Sequence, residues 1–354
     1  MIMYVSIIFS LIFSYLADFY KEKVKYVSYY FLFLVILILS LLSGLRLKYN
    51  DTARYIYNFN NFDNISINLS LGENPGFHYF QYFLKFYVWN NAHFFIFVTA
   101  FIINAMIILF YYKHSNKFSF VIYLYISSGF YFLGMSAIKQ MLAISFGIWA
   151  IHYYFKQKYS IFFILITISM LFHAYAFMYL SVIFFNKKVW DYKTILLLFL
   201  SLLVGLSFNE FVKISINSLS YIKDYDINYI LNQSSVNPFR VIFYLFVPIL
   251  SFFFKEQINT LDNKFFILSI NFSILSLIFL IFSLYGGAIM FGRVSSYFEP
   301  FIHISIIFLI YQIIPEHLRK IFIILIVNMY LFFFYYQFIA VKHFIYHPLN
   351  LEIF

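Results

Sequence analysis

The sequence predicts an all-α, polytopic bundle of transmembrane helices, with about 11–12 membrane segments forming one integral membrane domain over residues 1–354. Three observations lead there. Of 354 residues, 64% are hydrophobic and 11% charged, whereas roughly a quarter of a soluble domain is charged. Mean hydropathy is +0.85, and no aqueous fold hides that much apolar surface, so the surplus faces lipid. The apolar residues also come in runs of spanning length, separated by short basic connectors.

A spanning helix needs about 20 mostly apolar residues. By that rule the runs lie at 2–20, 26–45, 92–112, 118–135, 138–155, 159–186, 194–212, 239–254, 265–285, 294–314 and 321–341. The first has no basic segment before it and no small-residue cleavage site after it, so it reads as a retained helix. Lys21, Lys23 and Lys25 follow it; Lys113 and Lys117, Lys156 and Lys158, Lys187, Lys188 and Lys193, Lys255 and Lys264, and Arg319 and Lys320 mark later connectors. Short basic loops stay inside, which places the longer segments 46–91 and 213–238 outside. The connectors on either side of 159–186 are both basic, so an even number of crossings should separate them. We therefore expect a re-entrant pair of half-helices there, turning near Leu171-Phe172-His173-Ala174 with His173 at the tip. One long tilted helix is the alternative.

Composition removes several functions. Without cysteine there is no disulfide, thiolate metal site or cysteine nucleophile. The net charge of +10 is spread over short loops as orientation signals, which argues against nucleic-acid binding. No Gly-rich phosphate loop, soluble domain or inverted repeat is visible, and carboxylates and histidines are too scattered for a metal site.

Ionisable residues near the outer half need an explanation. Arg46 and Asp51 flank the Asn50-Asp51-Thr52 turn, which is expected to fold Asp51 back toward Arg46; Lys48 and Arg54 read as snorkelling residues. Glu73-Asn74-Pro75-Gly76-Phe77 launches a second short helix lying in the interface, with Glu73 either a cap or a site carboxylate. Lys139, beside Gln140, stands on the outer side against the usual preference, so it either snorkels or meets a phosphate or pyrophosphate. His173 is satisfied by a carbonyl or lines a cavity. Arg293, Ser296, Tyr297 and Pro300 are spaced to share one helical face, while Glu299 and His303 read as an internal structural pair. Tyr221, Tyr225, Tyr229, Asn232 and Asn237 give the 213–238 loop the means to stack on and hydrogen-bond sugars, or make it an ordinary polar loop. Cations and carboxylates gathered on one side suggest an anionic lipid-linked substrate.

Taken in order, Arg46…Asp51…Tyr55, Glu73-Asn74-Pro75-Gly76-Phe77, Ile138-Lys139-Gln140…Ala143, Phe172-His173-Ala174 and Arg293…Tyr297 resemble the pattern of EpsG-type proteins, grouped with the Wzy O-antigen and capsule polymerases. That family commonly has glycine where Asn50 stands and favours arginine where Lys139 stands. The resemblance implies a glycosyltransferase of the bacterial inner membrane. It would act at the periplasmic face on undecaprenyl-diphosphate-linked oligosaccharide and need no cofactor. Membrane lipid, a chain-length regulator and a flippase are its implied partners. On this reading Arg46, Lys139 and Arg293 hold the diphosphate, Asp51 or His173 is the base, and Glu73, Gln140, Tyr55 and Tyr297 are further site candidates. An O-antigen ligase or a lipid-linked oligosaccharide flippase are the alternatives.

Overall fold

The computed structural model describes residues 2–62, 74–185, 187–206, 235–285, 288–340 and 350–351. It is helical nearly throughout: α1 Ile2–Tyr20, α2 Lys25–Gly44, a short strand β1 Arg46–Lys48, α3 Thr52–Asn60, α4 Pro75–Phe83, α5 Ala92–His114, α6 Phe118–Ser127, α7 Phe130–Ser136, α8 Ile138–Phe155 and α9 Tyr159–Phe172. After a 3-10 turn at Ala174–Ser181 come α10 Val182–Phe185, α11 Tyr192–Leu206, α12 Pro238–Tyr244, α13 Phe246–Phe253, α14 Lys255–Thr260, α15 Lys264–Tyr285, α16 Ala288–Ser296, α17 Glu299–Phe308, α18 Glu316–Phe334 and a strand β2 Asn350–Leu351. Among the described residues, five helices are long and apolar enough to cross a membrane, or up to seven if each of two bent pairs is one span. The other apolar runs form shorter helices, such as 159–172 and 238–253, which is where the sequence expectation of about a dozen crossings differs.

The chain divides into two compact units, 1–180 with 324–354, and 181–323. In the first, the basic connectors lie together at one end. Phe118 and Ser119 donate their backbone N–H groups to the Asp18 carboxylate at 2.9 and 2.7 Å, capping α6. Lys21 Nζ donates to the carbonyls of Tyr112 and Ser115 at 2.7 and 2.8 Å, capping α5. Both match the helix dipole. His114 and His152 meet at 3.0 Å at this end too.

A polar seam runs through the apolar core toward the other end: Tyr125 donates to Asn104 at 3.1 Å, Asn104 to Ser43 at 3.0 Å, and Tyr131 to the Leu39 carbonyl at 2.8 Å. Such groups are hydrogen-bonded because burying them unpaired is costly.

Two helix breaks were not visible as runs. The 118–135 run bends by 55° between α6 and α7, at Gly129 with φ +85, where a Cβ would meet Phe338 at 2.9 Å; only glycine takes that conformation in that space. In the second unit the 294–314 run bends by 45° just before Pro300, which lacks the N–H a continuous helix needs.

The break expected near His173 is present. The helices α8 and α9 run antiparallel, with Tyr154 against Phe162, Ser169 Oγ donating to the Ala143 carbonyl at 2.5 Å, and Phe172 stacked on Phe146. Had the chain run straight on past His173, Tyr179 would lie roughly 14 Å further along at the 3-10 rise. Instead its ring packs on Gly147, level with Ser169. The segment therefore reverses at His173.

Candidate functional site

At the end of the first unit opposite the basic connectors, β1, α3, α4 and the starts of α5 and α8 meet the reversal after α9. Asn50 carries φ +44, a left-handed turn that asparagine tolerates and glycine takes freely. It turns the chain from β1 into α3. β1 pairs antiparallel with β2, Arg46 opposite Leu351 and Lys48 opposite Asn350.

Arg46 is buried, only 1% exposed. Its Nε donates to Thr52 Oγ1 at 3.0 Å, Nη2 to the Met135 carbonyl at 2.9 Å, and Nη1 to the Ser43 carbonyl. Thr52 Oγ1 in turn donates to the Tyr49 carbonyl at 2.6 Å. Burial pulls the guanidinium down to about 10, with Tyr131, Tyr55 and Tyr49 opposing, so it stays cationic at neutral pH; burial pushes the Tyr49 phenol up. All three guanidinium nitrogens are thus engaged by protein oxygens. Through these bonds Arg46 ties the end of α2, the end of α7 and the start of α3 together. Thr52, not Asp51, folds back onto it. Asp51 stands exposed at the N-cap of α3 without a side-chain cap bond.

Two cations of different helices come close here, half-buried Lys139 and exposed Arg54. Lys139, in the first turn of α8, lies 5.0 Å from the Phe77 ring centroid and feels the charge of exposed Arg54. Among the described residues, neither has a carboxylate within ion-pair distance. Two neighbouring cations repel, and an incoming anion relieves that repulsion. His78 faces the same place: burial, then the Lys139 charge, holds its imidazole below the ordinary range and hence neutral. Tyr55 packs edge-on to Phe77 at 6.0 Å, and Phe62 stacks on His78 at 6.2 Å. Arg54 read as a snorkelling residue in the sequence; two residues after buried Thr52, about half a helical turn round, it lies on the outward face of α3.

Close packing sets this arrangement. Asn74, with φ 61, starts α4, and Pro75 occupies its first turn. A Cβ on Gly76 would lie 2.8 Å from Leu171 Cβ and 3.0 Å from its carbonyl, so α4 touches the end of α9 backbone to backbone. Phe77 is buried and Phe80 meets Phe172 at 6.1 Å, so α4 is packed into the unit rather than only floating in the interface. Lys85 Nζ donates to the carbonyls of Phe59, Asn60 and Phe62 at 2.8–2.9 Å, capping α3. His173 is half-buried, in extended conformation with its ring against Tyr175 at 5.1 Å. Gln140 is buried in α8. Glu73, Tyr221, Tyr225, Tyr229 and Asn232 lie outside the described residues; Asn237 accepts from Phe239 N at 3.0 Å as a helix cap.

In the second unit Arg293 is exposed near the end of α16, whereas Ser296, Tyr297 and Pro300 are buried. The stripe expected from their spacing is broken by the bend before Pro300. Glu299 and His303 form the internal pair, 3.9 Å apart. Arg240 and Tyr244 on α12 are electrostatically coupled to Glu299, a partner no short-range spacing could reveal.

No curated protein and no solved structure matches the chain. One family does, described as the EpsG family, over residues 29–351, a stretch that holds every element of the cation cluster and Arg293 besides. With almost the whole sequence matched, the chain belongs to the EpsG family, the family of Wzy-type polysaccharide polymerases.

Proposed function

We propose that this polysaccharide polymerase-type membrane protein transfers a growing glycan from its undecaprenyl diphosphate to the nonreducing end of an incoming lipid-linked repeat unit, at the periplasmic face of the bacterial inner membrane. The observation that carries this is the Lys139–Arg54 pair. Lys139 lies over the Phe77 ring with Arg54 beside it, at the end of the unit away from the basic connectors. Basic connectors mark the cytoplasmic side, which supports a periplasmic position for the pair.

An acceptor hydroxyl oxygen attacks the anomeric carbon of the donor glycan as the bond from that carbon to the diphosphate oxygen breaks. The diphosphate leaves with the electron pair, and Lys139 and Arg54 stabilise its charge. The hydroxyl proton passes to a base, Asp51 or His173. Tyr55 and neutral His78 supply hydrogen-bonding groups nearby. Arg293, exposed on its own unit, is a third candidate cation for the substrate. A largely apolar groove of about 460 Å³ between the outer ends of α2 and α5, with Trp89, Asn91 and His93 at its mouth, suits a polyprenyl chain.

The test is a gene deletion complemented with Lys139→Ala or Arg293→Ala, read as surface-polysaccharide length and protein level. Long polymer should vanish while the protein persists, leaving single repeat units. An unchanged length distribution removes the substituted residue from the site. Loss even of single repeats from the surface would instead indicate a ligase.

A further inference from the structure

The short helix α3 presents two different faces. Inward lie Thr52, Tyr55 and Phe59, with Phe59 fully buried and stacked on Phe95 at 5.1 Å. Outward lie Arg54, Tyr57, Asn58 and Asn61, at i, i+3, i+4 and i+7, all exposed, Tyr57 at 67%. Their chemistry changes along the axis: a guanidinium, then a phenol, then two amides. The charges are confined to its start, where exposed Asp51 at the N-cap precedes Arg54 by three residues; beyond them the stripe carries only neutral hydrogen-bonding groups.

The stripe is held in place. Lys85 closes the carbonyl end of α3 by three hydrogen bonds, Asn61 Nδ2 donates to the Tyr57 carbonyl at 2.9 Å, and Thr52 is anchored to Arg46 at the other end. At 1.5 Å per residue the seven steps from Arg54 to Asn61 cover about 10 Å. The stripe starts at the cation cluster already described and leads away from it.

We propose that this face of α3 is the subsite for the sugars attached directly to the diphosphate. Arg54 holds the diphosphate, the Tyr57 ring stacks on the first sugar, and the amides of Asn58 and Asn61 bond to hydroxyls beyond it. The inference rests on the polymerase reading and deepens it: the diphosphate-proximal end of the repeat unit is where this protein reads its substrate. Neutral amides and a phenol recognise a neutral polyhydroxyl without drawing in competing ions, and an exposed aromatic on a fixed helix loses little freedom on binding.

The experiment compares two probes on the full-length protein purified in detergent. One is undecaprenyl diphosphate without sugar. The other is the undecaprenyl-diphosphate-linked repeat unit that accumulates in cells lacking the gene. In Tyr57→Ala/Asn58→Ala, affinity for the bare diphosphate should match wild type, while affinity for the sugar-bearing probe falls about tenfold. Lys139→Ala should weaken both. If the double variant binds the sugar-bearing probe as tightly as wild type, or if wild type does not distinguish the probes, the subsite is overturned and the polymerase reading stands. If wild type binds neither, the polymerase reading falls and the subsite with it. Both substituted side chains point away from the core, and an unchanged melting temperature verifies that the fold is intact.

Discussion

Arg46→Ala should act through stability, not through the substrate. The substitution removes three hydrogen bonds from one buried guanidinium, to Thr52, Met135 and Ser43. A hydrogen bond to a charged group contributes about 1.5–3 kcal/mol, but deleting the charge also recovers its burial cost. The acceptors left behind are neutral, so the net loss should be about 3–5 kcal/mol, from about 1–3 kcal/mol for each buried polar group left unsatisfied less the recovered burial cost. That is a large part of a typical stability of about 5–15 kcal/mol, and corresponds to a melting point lower by on the order of 10 °C. The assay is thermal unfolding of detergent-purified protein, paired with polymer length in complemented cells. Arg46→Lys, which keeps the charge but not the fork, should fall between wild type and Arg46→Ala. Polymer loss should track the amount of folded protein. An Arg46→Ala protein with the wild-type melting point and no polymer would refute the reasoning and return Arg46 to the substrate.

Gly76→Ala should loosen α4 from α9, because the added carbon lies 3.0 Å from the Leu171 carbonyl and backbone cannot yield; a destabilisation of about 1–3 kcal/mol is expected, read by unfolding. Asn50→Gly should be neutral or slightly stabilising, while Asn50→Val, forced into the φ +44 conformation, should cost about 1–2 kcal/mol. His78 has a depressed pKa in the fold, so its contribution is present above the unfolded value near 6.5 and is lost as pH falls below it. Melting temperature should drop on acidification from that pH, and His78→Gln should flatten the drop; an equally steep profile in that variant would exclude His78 as the source.

How much was legible depended on range. Apolar runs mark helices because their signal is local, and α1, α2, α5, α8 and α15 begin and end within a residue or two of the runs. The reversal at His173 followed from a charge rule applied over two connectors. The bend at Gly129 was written in the sequence as Ser127-Ser128-Gly129, but apolar neighbours on both sides masked it. The partners of Arg46 could not be read, since Met135 lies on another helix and the bond is to its carbonyl, which every residue possesses. Arg54 looked like an interfacial anchor until Lys139 was placed beside it. Arg240 and Glu299 likewise meet only through tertiary packing.

The first unit is discontinuous: α18 and β2 belong to it, yet they are encoded after all of residues 181–323. Tyr123 on α6 waits for the Val327 carbonyl, which it reaches at 2.6 Å, and β1 waits for Asn350 and Leu351. During translation, then, the early helices must persist in the bilayer with an open flank while an entire second body is threaded in. Expressing residues 1–180 alone would leave that flank permanently uncovered. Split-gene complementation should succeed only when the fragment that supplies α18 and β2 is made in the same cell.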